Sequence, residues 1–509
     1  MANPVLLQFF HWYTPADGLH WRRLTDSAKQ LKSAGIDAVW IPPPYKAMGG
    51  GMSVGYDTYD LFDLGEFDQK GSIRTKYGSK NELTEAIKTA HRHKISVLAD
   101  VVLNHKAGAD EREKFWVRKV NPHNRNEYLS NSLEIEGWTK FIFPGRQGKY
   151  STFTWHWWCF NGVDYAHDHP DQGLFAIQEN YGSEWAELVD NEKGNYDYLM
   201  FADLEMRNPD VRGELRYWGG WFLKTTNVDG FRLDAIKHIP PAFFVEWLDH
   251  VRSTTKKYLF AVGEYWNSNL DVLLRYLKAT GNRMSLFDVP LHYQLHSASI
   301  NGNRFDLRNV FDRTLVQAAP MNAVTFVDNH DSQPLQALES SIQEWFKPHA
   351  YALILLRKDG LPCVFLPDLE GAEYTDKSHD IHLKPVKALP DLLKLRKKHA
   401  FGEQIDHFDH PNTVGWVRTG SYWYPGIGCA VVLTNGDAGH KTMSLGARFA
   451  YNTFMDALGN HPAEIKLDHN GSANFLVSPG SVSVWVKKTG STPLVSRDWW
   501  QSMSRVFGG

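Results

Sequence analysis

Eight short apolar runs with strand character, mostly separated by segments of helical spacing, fill the first ~400 residues, and few folds accommodate such an alternation. Val5–Phe10 reads as a strand. Trp21–Ala34 follows as a helix with Leu24, Ala28 and Leu31 on one face, closed by Gly35. Ala38–Ile41 is the next strand, stopped by Pro42-Pro43-Pro44. Asn81 is expected to cap a helix running to His93, with Leu83, Ile87 and Ala90 inward. Ser96–Leu103 is apolar on both faces, as a buried parallel strand must be. Further on come helix Val211–Lys224, strand Gly230–Asp234, helix Ala242–Arg252, strand Leu259–Gly263 and helix Leu270–Ala279. Strands Ser285–Val289, Ala323–Val327 and Cys363–Leu366 complete the set. The fold class implied is α/β, a (β/α)8 barrel.

The alternation is interrupted once and then ends. Residues 104–208 are rich in Gly, Asn, Asp and Trp without long helical periodicity. So long a stretch inside a compact protein is not a loop, and an inserted domain of irregular β structure is expected there. From about Phe401 the helical spacing stops. Thr413–Arg418, Gly428–Thr434, Lys441–Leu445, Phe475–Val477 and Ser481–Lys487 read as antiparallel strands with turn signals at Asn435-Gly436 and Leu458-Gly459-Asn460. The expected organisation is barrel over 1–103 and 209–399, insertion over 104–208, β-sandwich over 400–488, and a tail over 489–509 to which Trp499-Trp500 belong but no role attaches.

Composition narrows the partners. The 55 basic and 58 acidic residues nearly cancel, which offers no broad field for nucleic acid or an anionic membrane. No apolar stretch approaches the ~18 residues of a membrane span. Three cysteines, Cys159, Cys363 and Cys429, make neither a disulfide framework nor a CxxC zinc pattern. With no basic, apolar leader at Met1-Ala2-Asn3-Pro4, a cytoplasmic, monomeric protein is expected; a mature secreted enzyme recloned with a new Met would read the same way.

In a (β/α)8 barrel chemistry sits where strands run out into loops. Polar residues collect at those ends: Asp100 to Asn104-His105 on the third strand, Arg232 and Asp234 followed by Lys237-His238 on the fourth, Glu264 on the fifth, and Asp328-Asn329-His330-Asp331 on the seventh. Period-two geometry puts Arg232 and Asp234 on one face, and a guanidinium beside a buried carboxylate favours its ionised form. Neighbouring strands lie ~4.8 Å apart, so Asp234 and Glu264 are expected about 5–5.5 Å apart, the spacing of a retaining glycosidase. The charge of Asp234 would then help keep Glu264 protonated, as a general acid requires. Each residue singly has a plainer explanation: an Asp at a strand end commonly caps a helix, Asn104-His105 can cap a loop, and His330 can be a satisfied loop histidine. The coincidence of acids or histidines at four strand ends favours chemistry.

Asp100-Val-Val-Leu-Asn104-His105, Gly230-Phe-Arg232-Leu-Asp234-Ala-Ile-Lys237-His238, Gly263-Glu264-Tyr-Trp266 and Phe326-Val-Asp-Asn-His330-Asp331 resemble, in order and spacing, the four signature regions of the α-amylase family, glycoside hydrolase family 13. Gly55-Tyr56-Asp57-Thr-Tyr-Asp60-Leu and Asn195-Tyr-Asp197-Tyr-Leu-Met resemble its bacterial liquefying and intracellular members. The resemblance implies a retaining, endo-acting α-1,4-glucan hydrolase acting on starch, glycogen or maltodextrins. It assigns Asp234 as nucleophile, Glu264 as acid/base and Asp331 as transition-state stabiliser. It gives substrate contacts to Tyr56, His105, Arg232, Lys237, His238, Trp266 and His330, with Arg232 also positioning Asp234. Trp12, Trp155, Trp157 and Trp158 are further candidates for sugar faces, although each tryptophan alone fits a core equally well. A transglycosylase using the same intermediate, and a non-catalytic glucan-binding protein, are the alternatives.

The family also holds a structural Ca2+, implied here at Asn104, Asp197, Asp203 and the backbone carbonyl of His238, oxygen donors that suit a hard cation. Where liquefying relatives carry further metal-binding aspartates, this chain has Asn161, Ala186, Glu205 and Arg207. Pro411-Asn412 and Asn435 stand where a third site would need acids or His. One calcium is therefore expected, with modest thermal stability.

Overall fold

The computed structural model describes residues 3–170, 172–178, 181, 185–421 and 426–488; the tail 489–509, with Trp499-Trp500, lies outside them. Eight parallel strands form a closed barrel: β1 (Leu6–Gln8), β2 (Ala38–Ile41), β3 (Ser96–Val101), β4 (Gly230–Leu233), β5 (Phe260–Gly263), β6 (Ser285–Phe287), β7 (Ala323–Phe326) and β8 (Leu361–Phe365). The order around it is β1-β8-β7-β6-β5-β4-β3-β2. All eight expected strands are present, each within a few residues of its expected bounds. Their near-continuous burial, as in Leu6–Gln8 and Gly230–Leu233, follows from being covered on both faces. By contacts the chain divides into two compact units, one of residues 1–12, 29–39 and 288–509, the other of residues 13–28 and 40–287.

The helix expected from Asn81 runs Lys80–Arg92, and its cap is Ser79 rather than Asn81. Ser79 Oγ accepts from the Glu82 amide while the Glu82 carboxylate accepts from Ser79 N, a reciprocal capping box.

The segment after β3 is more regular than expected. Strands His105–Lys106, Glu111–Val120, Leu133–Lys140, Phe160–Val163, Leu174–Ile177 and Ala202–Leu204 make one six-stranded sheet. Glu111–Val120 and Leu133–Lys140 form a long antiparallel pair. Their charges alternate with apolar residues on a half-exposed face, so the core-forming residues are too sparse to read as strands. Val120, Leu174, Ala176, Trp185 and Tyr198 build a core under this sheet.

Beyond Phe401 a six-stranded antiparallel sheet (Gln404–His407, Thr413–Arg418, Cys429–Thr434, Val482–Lys487, Thr453–Asp456, Glu464–Lys466) is joined by a two-stranded one (Gly439–Ser444, Ser472–Val477). They share a core of Val417, Val432, Phe454, Phe475 and Trp485. The strands Gln404–His407, Thr453–Asp456 and Glu464–Lys466 were not anticipated; the outer two are partly exposed edges with mixed polarity.

Candidate active site

The hydrogen-bond ladder of the barrel continues past the ends of β4 and β5. Asp234 N donates to Val101 O (2.9 Å) and Glu264 N to Leu233 O (2.9 Å), so both acids leave the barrel wall in fixed register. Neither caps a helix. The chain turns after Asp234 through Ala235, a non-glycine residue at φ 49°, into the short 3-10 turn Ile236–His238, which has no side-chain cap. This left-handed residue is a local cost held by its surroundings. Gly263, before Glu264, admits no side chain: a Cβ would lie 2.4 Å from Ile236 Cδ1.

Arg232 is the hub. Register places it opposite Asp100 on β3. Its Nη1 contacts Asp234 Oδ1 at 2.5 Å and Asp100 Oδ1 at 2.9 Å, and its Nη2 contacts Glu264 Oε2 at 2.9 Å. The bonded Asp234 and Glu264 oxygens therefore lie no more than about 8 Å from each other, close enough for both acids to reach one glycosidic bond. Asp100 also accepts from Tyr56 Oη (2.8 Å) and Trp40 Nε1 (3.0 Å). The Arg232 guanidinium lies over the Trp40 ring at 5.1 Å.

Three buried carboxylates thus share one guanidinium. Burial pushes Asp100 up to about 7 against the pull of Arg232, with Asp234 adding repulsion. Burial also raises Asp234, outweighing Arg232, at a site 8% exposed. Glu264 is raised by burial first and by the charge of Asp234 after the opposing effect of Arg232. Its Oε1 is buried with no hydrogen-bond partner among the described residues. Asp100 was legible only as an acid inside an otherwise apolar strand, and its function as anchor for Arg232 was missed.

The remaining candidates fall into place unevenly. The His105 Nε2 lies 2.8 Å from Tyr56 O and its Nδ1 3.3 Å from Asn104 Nδ2, so both ring nitrogens are engaged within the protein, and burial lowers the ring to about 4. Lys237 pairs with Glu192 (2.9 Å) and reaches Trp266 O (3.4 Å). His238 is fixed by Nδ1 to Tyr196 O (2.6 Å), and burial lowers it well below the ordinary imidazole value. In the other unit, Asp331 follows the end of β7. Its amide donates to Asn329 Oδ1 (2.9 Å), and its carboxylate lies 3.2 Å from His330 Nε2. His330 Nδ1 meets Gln8 Nε2 (3.1 Å), and the ring stacks on Trp12 at 6.2 Å. Of the other tryptophans, Trp155 is 3% exposed and belongs to the core rather than to a sugar platform, packed against Phe160 and the Lys106 ammonium. Trp158 is 43% exposed.

A cavity of about 350 Å3 lined by Met48, Lys106, Trp138, Asp164, Tyr165 and Phe201 adjoins His105, whose ring lies 5.5 Å from that of Phe201. Trp138 and Tyr165 are exposed at its rim. Sequence reading missed them because an aromatic in a polar strand, as Trp138 is, or in a loop, as Tyr165 is, gives no signal until its neighbours are known.

Asn104, Asp197 and Asp203 converge, with Asn161 added. Asn104 Nδ2 donates to Asp203 Oδ1 (2.7 Å) and Asn161 Nδ2 to Asp197 Oδ2 (2.7 Å). The amide oxygens Asn104 Oδ1 and Asn161 Oδ1 are buried without partners. Burial pushes Asp197 up to about 7 and, with the charge of Asp197, raises Asp203 well above the carboxylate range. Two repelling buried acids and two orphaned amide oxygens fit an oxygen-liganded cation. No group of three or more His, Cys, Asp or Glu suited to a metal occurs among the described residues; this set is half amide. Nearby, Arg207 forks onto Glu205 at 2.8 and 2.6 Å. Asn435 Nδ2 donates to Gly302 O (2.9 Å) and Phe305 O (2.8 Å), and Asn412 Nδ2 to Asn303 O (2.6 Å).

Known proteins agree with this architecture. The family described as "Alpha amylase, catalytic domain" matches residues 20–379, and "Alpha-amylase C-terminal" matches residues 430–486. The chain is 48% identical over 492 residues to a cytoplasmic alpha-amylase of Escherichia coli, covering 96% of this chain and 99% of that one. It is 46% identical over 486 residues to an alpha-amylase of Bacillus licheniformis, covering 96% and 94%. The crystal structure of an alpha-amylase from Geobacillus thermoleovorans complexed with acarbose shares the fold at a TM-score of 0.64 and 17% identity, covering 96% and 99%. Calcium binding is general in that family. With a family model matching residues 20–379 and near-full-length relatives at 46–48% identity, the chain belongs to the α-amylase family.

Proposed function

We propose that this protein is a retaining, endo-acting α-1,4-glucan hydrolase. The observation that carries the reading is the pairing of Asp234 and Glu264 on one guanidinium, with Glu264 Oε1 buried and unpartnered. Asp234 attacks the anomeric carbon as Glu264 gives its proton to the departing glycosidic oxygen. The resulting glycosyl ester is opened by a water that Glu264, now ionised, deprotonates. Arg232 and Asp100 orient the nucleophile. Tyr56 offers a ring to the sugar, and His105 fixes that tyrosine through its backbone carbonyl. Asp331 and His330 hold sugar hydroxyls in the transition state, while Lys237, His238 and Trp266 line the leaving-group side. The cavity rimmed by Trp138 and Tyr165 accommodates the distal glucan chain, its rings suiting pyranose faces.

One Ca2+ would be held by Asn104, Asp197, Asp203 and the His238 carbonyl, with Asn161 at hand. It would supply positive charge to offset the two buried acids and would take no part in bond making. The Glu205–Arg207 pair and the amide groups of Asn412 and Asn435 supply internal positive charge or N–H donors at the other places considered, which supports a single ion. The protein works in the cytoplasm, as the name of the Escherichia coli relative suggests, where glycogen or maltodextrins are the α-glucans it would meet. A reducing-sugar assay on soluble starch, with and without chelator, tests the assignment; an inactive, correctly folded, calcium-loaded protein would refute it.

A further inference from the structure

On the same unit as Asp234, a second concave surface of about 490 Å3 lies between the loop 148–153 and the helix Pro209–Thr226, and it shares no lining residue with the cluster around Arg232. Its composition is specific. Tyr217 is 53% exposed, yet its hydroxyl donates to Tyr150 O at 2.8 Å and its ring rests beside Phe62 at 5.9 Å. Phe62 and Tyr150 each pack on Trp221 at 4.9 Å. The exposed ring is therefore mounted on a rigid aromatic base. Glu214 accepts from Ser151 Oγ at 2.6 Å through Oε1, and its Oε2 has no hydrogen-bond partner among the described residues. Phe153 and the Thr152 hydroxyl complete the wall.

The loop is preorganised. Glu66 is bonded by Lys80 (2.7 Å) and by the Tyr150 hydroxyl (2.8 Å). Arg146, paired with Asp60 at 2.9 Å, donates to Lys149 O and Ser151 O. Backbone at φ 73° for Gly148 and 74° for Tyr150 is thereby held open. An immobile aromatic face beside a spare carboxylate oxygen and hydroxyls suits a neutral polyhydroxyl ring: C–H groups lie on the tyrosine, and hydroxyls donate to Glu214. The single charge of the wall, negative, disfavours anions.

We propose that this cleft is a second, non-catalytic α-glucan-holding site, with Tyr217 as platform and Glu214 as hydrogen-bond acceptor. The choice of glucan rests on the hydrolase reading above. A polymer held here raises the local concentration of its own strand at the reactive site, a benefit that short oligosaccharides cannot receive.

The test compares the full-length parent with Tyr217→Ala, Tyr217→Phe and Glu214→Ala on a chromogenic maltotrioside and on soluble starch, together with electrophoretic retardation in glycogen-containing gels. Tyr217→Ala and Glu214→Ala should lose about 5- to 10-fold in kcat/KM on starch, keep parental activity on the trioside, and migrate faster in glycogen. Tyr217→Phe, which keeps the ring, should retain polymer preference. Equal starch-to-trioside ratios and equal retardation in parent and Ala variants would overturn the proposal, as would a Tyr217→Phe variant as impaired as Tyr217→Ala. A parent inactive on both substrates refutes the hydrolase reading instead, and retardation then judges this site alone. Should Tyr217→Ala unfold, Glu214→Ala decides.

Discussion

Asp234 and Glu264 are buried acids with raised proton affinities, and Arg232 contacts both. Asp234→Asn removes the attacking oxygen's charge, and kcat on maltotrioside is expected to fall by roughly 10^4-fold or more. Glu264→Gln should fall comparably on starch but recover on a glycoside with a good leaving group, which needs no protonation; failure of this rescue would reassign the acid. As the general acid, Glu264 must be protonated, so kcat/KM is lost as pH rises through its value. That limb should sit above the ordinary 4.5 of a glutamate, because burial raises it. A pH–rate profile on the trioside checks the position. The positions of these two acids were legible in the sequence because each follows a strand directly. Asp100 was not, since only the β3–β4 register sets it opposite Arg232.

At the scale of elements, each unit has a device that holds loops at its strand ends. The first is the Asp197–Asp203 pair, with Asp203 on a strand of the inserted sheet and the two acids bonded by Asn161 and Asn104. A carboxylate whose folded value is raised, as for Asp197 at about 7, binds more protons folded than unfolded. Without metal, stability therefore declines as pH rises from about 4 through 7. Calcium bound at the proposed site would offset this decline, contributing about 4 kcal/mol at 1,000-fold excess over its dissociation constant. Thermal unfolding with chelator and with calcium should diverge more at pH 8 than at pH 5, and metal analysis should return one ion per chain. The second is Lys347, buried between Asp328 (2.8 Å) and Asp368, which also accepts from Tyr351 Oη (2.6 Å). Asp328 in turn accepts from Ile342 N (3.1 Å) and braces the turn that bears His330 and Asp331. Lys347→Met leaves two buried acids unpaired and is expected to cost about 3–5 kcal/mol in urea unfolding. Sequence reading offered no sign of this brace: Lys347 lies 19 and 21 residues from its partners, a separation with no local periodicity.

For the whole molecule, the expected products follow from which acceptor opens the glycosyl ester. Incubation with concentrated maltotriose should yield glucose and maltose; accumulation of oligomers longer than the substrate would assign transfer instead of hydrolysis. By itself the sequence determined the barrel, the order of its strands and the acids at their ends, because strand burial, helical spacing and turn residues are written locally in the pattern of side chains. The tertiary structure alone decided the regular six-stranded sheet after β3, the sharing of Arg232 by three carboxylates, the burial that overrides that guanidinium at Asp234, and the aromatic clefts at Trp138 and Tyr217. Each of these depends on residues far apart in the chain meeting away from water, where desolvation and pairing energies are set by neighbours that no stretch of sequence contains.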